Sequence, residues 1–409
     1  MLDGLLRAAP KRLAGSTGSD AAVQWGLATM RSLGLENVRA EPCMVPHWVR
    51  GEERAEIVGG PTQPLRVTAL GGSIGTAPAG IEAEVVEVRS FEQLHALGET
   101  ARGKIVFFNR PMPRALRRVG ESYGQAVPQR SNGAIEAGKV GALAAIVRSV
   151  TTAIDGNPHT GAMRYDEAVT KVPAAAIATA DAELLAAALQ RGPVRVKLAL
   201  GCTTQPDVPG ANVVGELRGS TTPERIVVVG GHLDAWDLGD GAHDDGAGCI
   251  HALEAVRLLA ACGIRPRCTI RVVLFANEEN GLRGARAYAE AHRGEIAQHA
   301  AALESDSGGF LPQGLTTSLR DAAAAAMQQR LRPLQDVGAG TFLTGAGGCG
   351  ADIGPLHELG VPCFGLLVDS HRYFDHHHTA IDTLAVVNER ELALGAAVVA
   401  YALSVLADG

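Results

Sequence analysis

Beyond residue 200 the chain alternates between short apolar runs and longer segments whose apolar positions recur every three or four residues. The runs 212–217, 225–229, 269–276, 301–304 and 362–368 read as strands, and 246–261, 283–292, 321–330 and 389–406 read as helices. Such alternation predicts an α/β fold with a mixed, mainly parallel central sheet flanked by helices. Ligand sites in such sheets lie outside the carboxyl ends of the strands. The stripe Ile250, Leu253, Val256, Leu258 and Leu259 belongs on the core-facing side of its helix.

Earlier in the chain the pattern differs. Residues 18–34 read as a helix with Ala21, Val23, Leu27, Met30 and Leu33 as its apolar positions and Gly34 as its stop. An extended stretch over 37–58, broken by Pro42 and Pro46, follows it. From 66 to 199 the chain is rich in Ala, Gly and Val, with short strands expected at 83–88 and 104–108. A helix over 134–140 is expected to run straight into a strand over 141–147. This stretch carries no catalytic constellation and reads as an inserted domain, 66–199. The segments 1–65 and 200–409 then form one catalytic domain.

Composition narrows the function classes. The chain has 409 residues, 46% hydrophobic and 20% charged, enough apolar material for a sizeable core. A net charge of −7, with Lys and Arg scattered apart from short groups such as Arg114, Arg117 and Arg118, argues against nucleic-acid partners. No apolar run is long enough to cross a membrane, and Met1-Leu2-Asp3-Gly4 opens no secretory signal, so both a cytosolic and a periplasmic location stay open. The seven cysteines form no CxxC pair and are expected as small buried hydrophobes.

Five acidic or histidine motifs fall just beyond the expected strand ends. His232-Leu233-Asp234 follows the strand 225–229; a carboxylate two residues from an imidazole commonly orients a metal-binding histidine, although alone the pair is more often a plain loop. His243-Asp244-Asp245-Gly246 opens a helix. One aspartate there serves as an N-cap, but a second enclosed by glycines exceeds that need. Asp244 could bridge two cations through its two oxygens, whereas His243 is expected as a solvated loop residue. Glu278-Glu279 is costly to bury unless cations compensate it, which suggests one ligand and one general base. Glu304-Ser305-Asp306-Ser307 and the run His376-His377-His378-Thr379-Ala380-Ile381-Asp382 complete the series. Neighbouring histidines point apart, so at most one or two can share a site. Two imidazoles and three carboxylates make a donor set suited to zinc, and a shared carboxylate suits a pair of ions.

The runs HLDAWDLGDGAHDDGAG, NEENGLRGA, ESDSGG and HHHTAID resemble the co-catalytic zinc peptidases of the aminopeptidase Y and transferrin receptor group, in particular its plasma glutamate carboxypeptidase branch. RLAGSTGSDAAVQWGLATMRSLGLENV and VPHWVRGEE extend the likeness to nearly the whole chain. The resemblance implies a protease-associated (PA) domain at 66–199. It also implies two Zn²⁺ ions per chain, with His232, Asp244, Glu279, Asp306 and His378 as ligands. Asp244 would bridge the ions, His232 and Asp306 would complete one, and Glu279 and His378 the other. Glu278 would be the general base, Asp234 would orient His232, and the Asp244–Asp245 peptide would be cis. Asp352 matches the family's Ser-Asp-His segment in part only and receives no role. Short peptides, dipeptides especially, are the implied substrates; a homodimer and an extracytoplasmic location are implied likewise. His376 and His377 are left as bystanders. An aminoacylase or dipeptidase of the related zinc carboxypeptidase group, an aminopeptidase on longer peptides, a glutaminyl-cyclase-like enzyme with one zinc, and a metal-free receptor are the competing readings. The glycines Gly345, Gly347, Gly348 and Gly350 lack the context of a phosphate loop and are expected to form a substrate-side turn.

Overall fold

The structure, a computed structural model, describes the whole chain apart from residues 61, 117, 346–348 and 409. It contains two compact units: residues 1–45, 207–373 and 381–409 in the first, and 46–206 with 374–380 in the second. Arg117, Gly347 and Gly348 lie outside the described residues.

The first unit is built on an eight-stranded sheet. Its strands are β1 (Glu36–Val49), β2 (Thr203–Leu217), β3 (Thr222–His232), β4 (Cys268–Phe275), β5 (His299–Glu304), β6 (Pro312–Thr317), β7 (Thr341–Thr344) and β8 (Cys363–Val368). They lie in the order β1-β2-β4-β3-β5-β8-β6-β7. The central run β4-β3-β5-β8 is parallel, while β2 on β4 and β6 on β8 are antiparallel. The sheet is therefore mixed and mainly parallel, as the alternating pattern predicts. β4 throughout, and β3 from Ile226 onward, are buried on both faces, as strands inside a covered parallel sheet must be.

Five helices matter for the site: α1 (Leu2–Ala8), α2 (Thr17–Ser32), α3 (Ala247–Ala261), α4 (Arg283–Ala291) and α5 (Glu389–Leu406). The hydroxyl of Ser16 caps α2 by accepting from the Ser19 amide at 3.1 Å, and Gly34, at φ +75°, turns the chain out of it. α3 packs against α5 through the predicted stripe, of which Leu253, Val256 and Leu259 are fully buried and Leu258 is half-buried. The fit is close: a Cβ at Gly395 of α5 would stand 2.4 Å from Nε2 of His251 on α3.

The second unit has its own eight-stranded sheet. In spatial order its strands are Gln63–Leu65, Glu53–Val58, Arg195–Leu200, Ile81–Val88, Ile105–Phe108, Ala144–Arg148, Ala174–Ile177 and Val67–Ala69. Its core includes Leu94, Val106, Phe108, Ala145 and Val147. The helix expected at 134–140 starts earlier, as Pro128–Lys139, because Pro128 suits a first turn that needs no amide donor there. The following strand starts later, at Ala144, since Gly141 at φ +71° makes a turn first.

The cysteine expectation needs correction. Cys349 and Cys363 form a disulfide that ties the loop before Asp352 to β8. Five cysteines are free; Cys202, Cys249 and Cys268 are buried, Cys43 is half-buried and Cys262 is exposed. No helix among the described residues is long and apolar enough to cross a membrane.

Candidate metal centre

The parallel register brings three strand ends side by side. His232, the last residue of β3, pairs with Phe275 at the end of β4, and Gly230 of β3 pairs with Glu304 at the end of β5. The chain segments that leave these ends therefore converge. They carry His232-Leu233-Asp234, Glu278-Glu279 and Asp306.

Nε2 of His232 stands 3.2 Å from Oδ1 of Asp244 and 3.5 Å from Oδ1 of Asp306. Ligand atoms of His232, Asp244 and Glu279 lie within 4.8 Å of one another, all three residues being buried. His232, Asp245 and Asp306 form a second such group. Hydrogen bonding separates the adjacent aspartates. Oδ2 of Asp245 accepts from the amide of His232 at 3.1 Å, and Oδ1 accepts from the amide of Gly248 at 3.0 Å. Asp245 thus pins α3 to the end of β3, and its oxygens are committed to the backbone. Glycine is required around it: a Cβ at Gly231 or Gly248 would come within 2.3 Å of its carboxylate. The Asp244–Asp245 peptide is cis, as the resemblance implies.

Asp234 does not orient His232 in the way its spacing suggests. Its carboxylate is 3.9 Å from the ring, too far for a hydrogen bond. Nδ1 of His232 instead lies 3.0 Å from the main-chain carbonyl oxygen of Asp234, which leaves Nε2 to face the carboxylates. The Asp234 side chain accepts from the amides of Glu278 at 3.0 Å and Glu279 at 3.4 Å. It holds the Glu-Glu turn, where Asn277 adopts φ +63°.

Burial raises the carboxyl of Glu278, and the neighbouring charges of Asp306, Glu279 and Asp234 add to the rise, against the opposing pull of His232. Asp234 and Asp245 are raised for the same first reason. Burial disfavours charge on His232 too, yet its hydrogen bonds to Asp244 and Asp306 hold the imidazole well above its ordinary value. Asp234, Asp245, Glu278 and Asp352 pair with no Lys or Arg among the described residues. A concentration of buried carboxylate without organic cations is costly unless protons or metal ions compensate it.

His378 falls on residues 374–380, in the second unit. There its Nδ1 is 3.3 Å from the carbonyl oxygen of Thr160. A proton on Nδ1 shared with that oxygen leaves Nε2 available as a ligand. His376 and His377 are buried as well, and His377 stacks on His378 with ring centroids 3.4 Å apart. The tract is therefore no solvated loop.

His243, expected in solvent, is buried. Its ring stacks on Phe310 at 4.2 Å, and its Nδ1 accepts from the amide of Gly309 at 3.1 Å. Sequence reasoning also gave no role to Asp382, Arg12, Glu304 or Tyr373. Asp382 accepts from the amides of His243 at 2.8 Å and Asp244 at 3.1 Å, and burial lifts its carboxyl to about 7. Glu304 accepts from the amides of Ala351 at 3.0 Å and Ile353 at 2.9 Å, which fixes the loop around Asp352. Gly350 makes room for it, since a Cβ there would lie 2.3 Å from the Glu304 carboxyl carbon. Asp352 is fully buried; burial, with the charges of Glu304 and Glu278, pushes its carboxyl well up. The phenol of Tyr373 is raised by burial and by the charges of Asp244 and Asp306. The only available signal for Asp382 was its place at the end of the histidine motif.

Comparison with known proteins agrees with this construction. The model of peptidase family M28 matches residues 212–403. Human carboxypeptidase Q is 40% identical over 398 residues, 97% of this chain and 82% of its own. The crystal structure of a peptidase M28 precursor from Shewanella amazonensis superposes with a TM-score of 0.96 at 39% identity, covering 100% of this chain and 92% of that one. A zinc aminopeptidase from Bacillus subtilis shares the fold, with a TM-score of 0.72 at 20% identity over 98% of this chain and 92% of its own. By residues, fold and relatedness alike, the chain belongs to peptidase family M28 and is a metallo-exopeptidase of the carboxypeptidase Q kind.

Proposed function

We propose that this metallopeptidase binds two zinc ions and hydrolyses short peptides, dipeptides foremost. The observation that carries the reading is the convergence of the buried donors His232, Asp244 and Glu279 with the partly exposed Asp306, flanked by the carboxylates of Asp234, Asp245 and Glu278, which pair with no Lys or Arg among the described residues. Mixed imidazole and carboxylate donors fit zinc. His232, Asp244 and Asp306 would hold one ion. Asp244, Glu279 and His378 would hold the other, with His378 taken from the family resemblance. When bound, the ions supply Lewis-acid polarisation and make a water molecule more acidic.

The chain's own residues supply the proton handling. Glu278 takes a proton from the attacking water and returns it to the leaving amine, a role suited to a carboxyl raised by burial. Asp234 keeps Glu278 in place through its amide. His232 is set in its tautomer by the carbonyl oxygen of Asp234. We read the second unit as the PA-like insertion; a homodimer and an extracytoplasmic location, implied by the resemblance, belong to the same proposal.

Metal analysis combined with a panel of free and end-blocked dipeptides tests this function. Two zinc ions per chain with dipeptide turnover are expected. A single tightly bound ion with amine-cyclising activity would favour the cyclase-like alternative. Asp382→Asn should weaken zinc binding about 10–100-fold, because it loosens the amides that present Asp244. Competition against a chelator reads that change, and an unaltered affinity would remove Asp382 from the support of the site.

A further inference from the structure

The segment 277–283 leads from β4 into α4 and carries the Glu278-Glu279 pair. Its backbone is left-handed near both ends: Asn277 adopts φ +63° and Leu282 φ +55°. Asparagine tolerates that region, whereas a bulky leucine is strained there. Such conformations persist only where the surrounding structure over-determines them. α4 gives no side-chain help, because Leu282 stands at its N-cap position and makes no capping hydrogen bond.

Within the segment the bonds are local. The amide of Leu282 donates to the carbonyl oxygen of Asn277 at 2.6 Å, and Nδ2 of Asn277 donates to Oδ1 of Asn280. Asp234 holds the middle through the amides of Glu278 and Glu279. The two ends are held from β2. The main-chain ladder of β2 on β4 reaches Val213 opposite Leu274, and beyond it the side chain of Asn212 takes over. Its Oδ1 accepts from the amide of Ala276 at 2.9 Å, and its Nδ2 donates to the carbonyl oxygen of Gly284 at 2.9 Å. Ala276 is the residue before the segment and Gly284 the residue after it. The amide of Gly284 closes the ring by donating to the carbonyl oxygen of Ala276 at 3.0 Å.

One planar carboxamide therefore fixes the separation of entry and exit. Asn212 is fully buried, and its partners dictate its orientation, since only oxygen can face an amide and only nitrogen a carbonyl group. The approach is close: a Cβ at Gly284 would lie 2.3 Å from Oδ1 of Asn212 and 2.3 Å from the carbonyl oxygen of Ala276. Other side chains cannot make this clamp. An ionised carboxylate offers acceptors only, and an alkyl group offers neither partner.

We propose that Asn212 is a positioning residue for hydrolysis: it clamps both ends of the strained 277–283 segment and so sets where Glu279 meets its metal ion and Glu278 the attacking water. The proposal rests on the two-zinc reading of the site. Asn212 makes no hydrogen bond to the segments that carry His232, Asp244 and Asp306. Its loss should therefore act unequally. The ion assigned to Glu279 weakens, while the ion assigned to His232 and Asp306 keeps its donors in place.

The experiment compares the wild type with Asn212→Asp, which keeps one acceptor and loses the donor, and Asn212→Ala, which loses both. Hydrogen exchange of the metal-free proteins reads the clamp itself: peptides covering 276–284 should exchange faster in both variants, while α3 and α5 keep their protection. Titration with zinc and with cobalt(II), followed by cobalt absorption, reads the two ions separately. One ion should bind as in the wild type with an unchanged spectrum, and the other about 10–100-fold more weakly. With both sites filled, kcat on Leu-Leu should fall about 100-fold at nearly unchanged KM, the scale set by a displacement of about 1 Å. If Asn212→Asp does not fold, Asn212→Ala, which buries no charge, carries the same comparison. Unchanged exchange over 276–284 in Asn212→Ala would overturn the clamp. Faster exchange with both affinities and kcat intact would overturn the positioning role, and so would equal weakening of both ions alongside a lowered denaturation midpoint. A wild type that held a single ion or cut no dipeptide would sink the functional reading instead, because the exchange comparison on the metal-free proteins needs neither.

Discussion

Glu278→Gln is expected to keep its zinc and lose about 10²–10⁴-fold in kcat, the range that a well-placed general acid–base supplies. The change is nearly isosteric, and the turn that presents residue 278 is held through main-chain amides that bond to Asp234, which the substitution leaves alone. The four donors His232, Asp244, Glu279 and Asp306 also stay as they are. Loss of rate without loss of metal is therefore the signature of a residue that moves protons rather than one that holds ions. KM should change little, since the carboxylate's contribution is made in the transition state. Zinc content, kcat and KM measured on the one variant decide the matter. An enzyme that kept full turnover would transfer the base role elsewhere, with buried Asp352 the next carboxyl to examine.

Much of this site could be read from the sequence because its parts obey local rules. His232, Glu278, Glu279 and Asp306 each follow an apolar run, and the parallel register of β3, β4 and β5 places those exits next to one another. Period and position therefore located them before any coordinates. What stayed hidden was bonding to the backbone, which leaves no periodicity. Asp234 is an example: the spacing His-x-Asp suggests a side-chain contact, whereas the ring meets the carbonyl oxygen and the carboxylate serves another loop. The adjacent aspartates suggest one cap, and Asp245 does accept from the Gly248 amide in the first turn of α3, but its other oxygen accepts from the amide of His232, a bond that no spacing marks. The disulfide between Cys349 and Cys363 joins a loop to a strand that follows it, and no spacing rule marks that pair. His243 was misjudged because a polar residue among glycines reads as solvated, while its stacking partner Phe310 lies 67 residues away in the chain.

The same limitation hid Arg12, whose replacement should be the most destabilising single change near the site. Its side chain is fully buried, yet nothing in the stretch around it distinguishes it from a surface arginine. Nε donates to the carbonyl oxygen of Leu233 at 2.6 Å and Nη2 to that of Gly241 at 2.8 Å, and Nη1 donates to that of Asp240. One guanidinium thus ties the loop after His232 to the loop before Asp244, and it does so from the segment between α1 and α2. Arg12→Ala strands two buried carbonyl groups and one part-buried one and opens a cavity, for which a loss of about 3–5 kcal/mol in stability is expected. The two loops would then lose their mutual spacing, and zinc affinity should fall with stability even though no ligand has changed. Arg12→Lys should recover little, since a single ammonium cannot reach three divergent acceptors in a fixed fork. Denaturant midpoints of the metal-free proteins isolate the folding effect, and zinc titration of the folded fraction isolates the effect on the site. If Arg12→Ala unfolded at the wild-type midpoint and bound zinc as tightly, the two loops would have to be held by their own contacts, among them the amide bonds of Asp382 to residues 243 and 244.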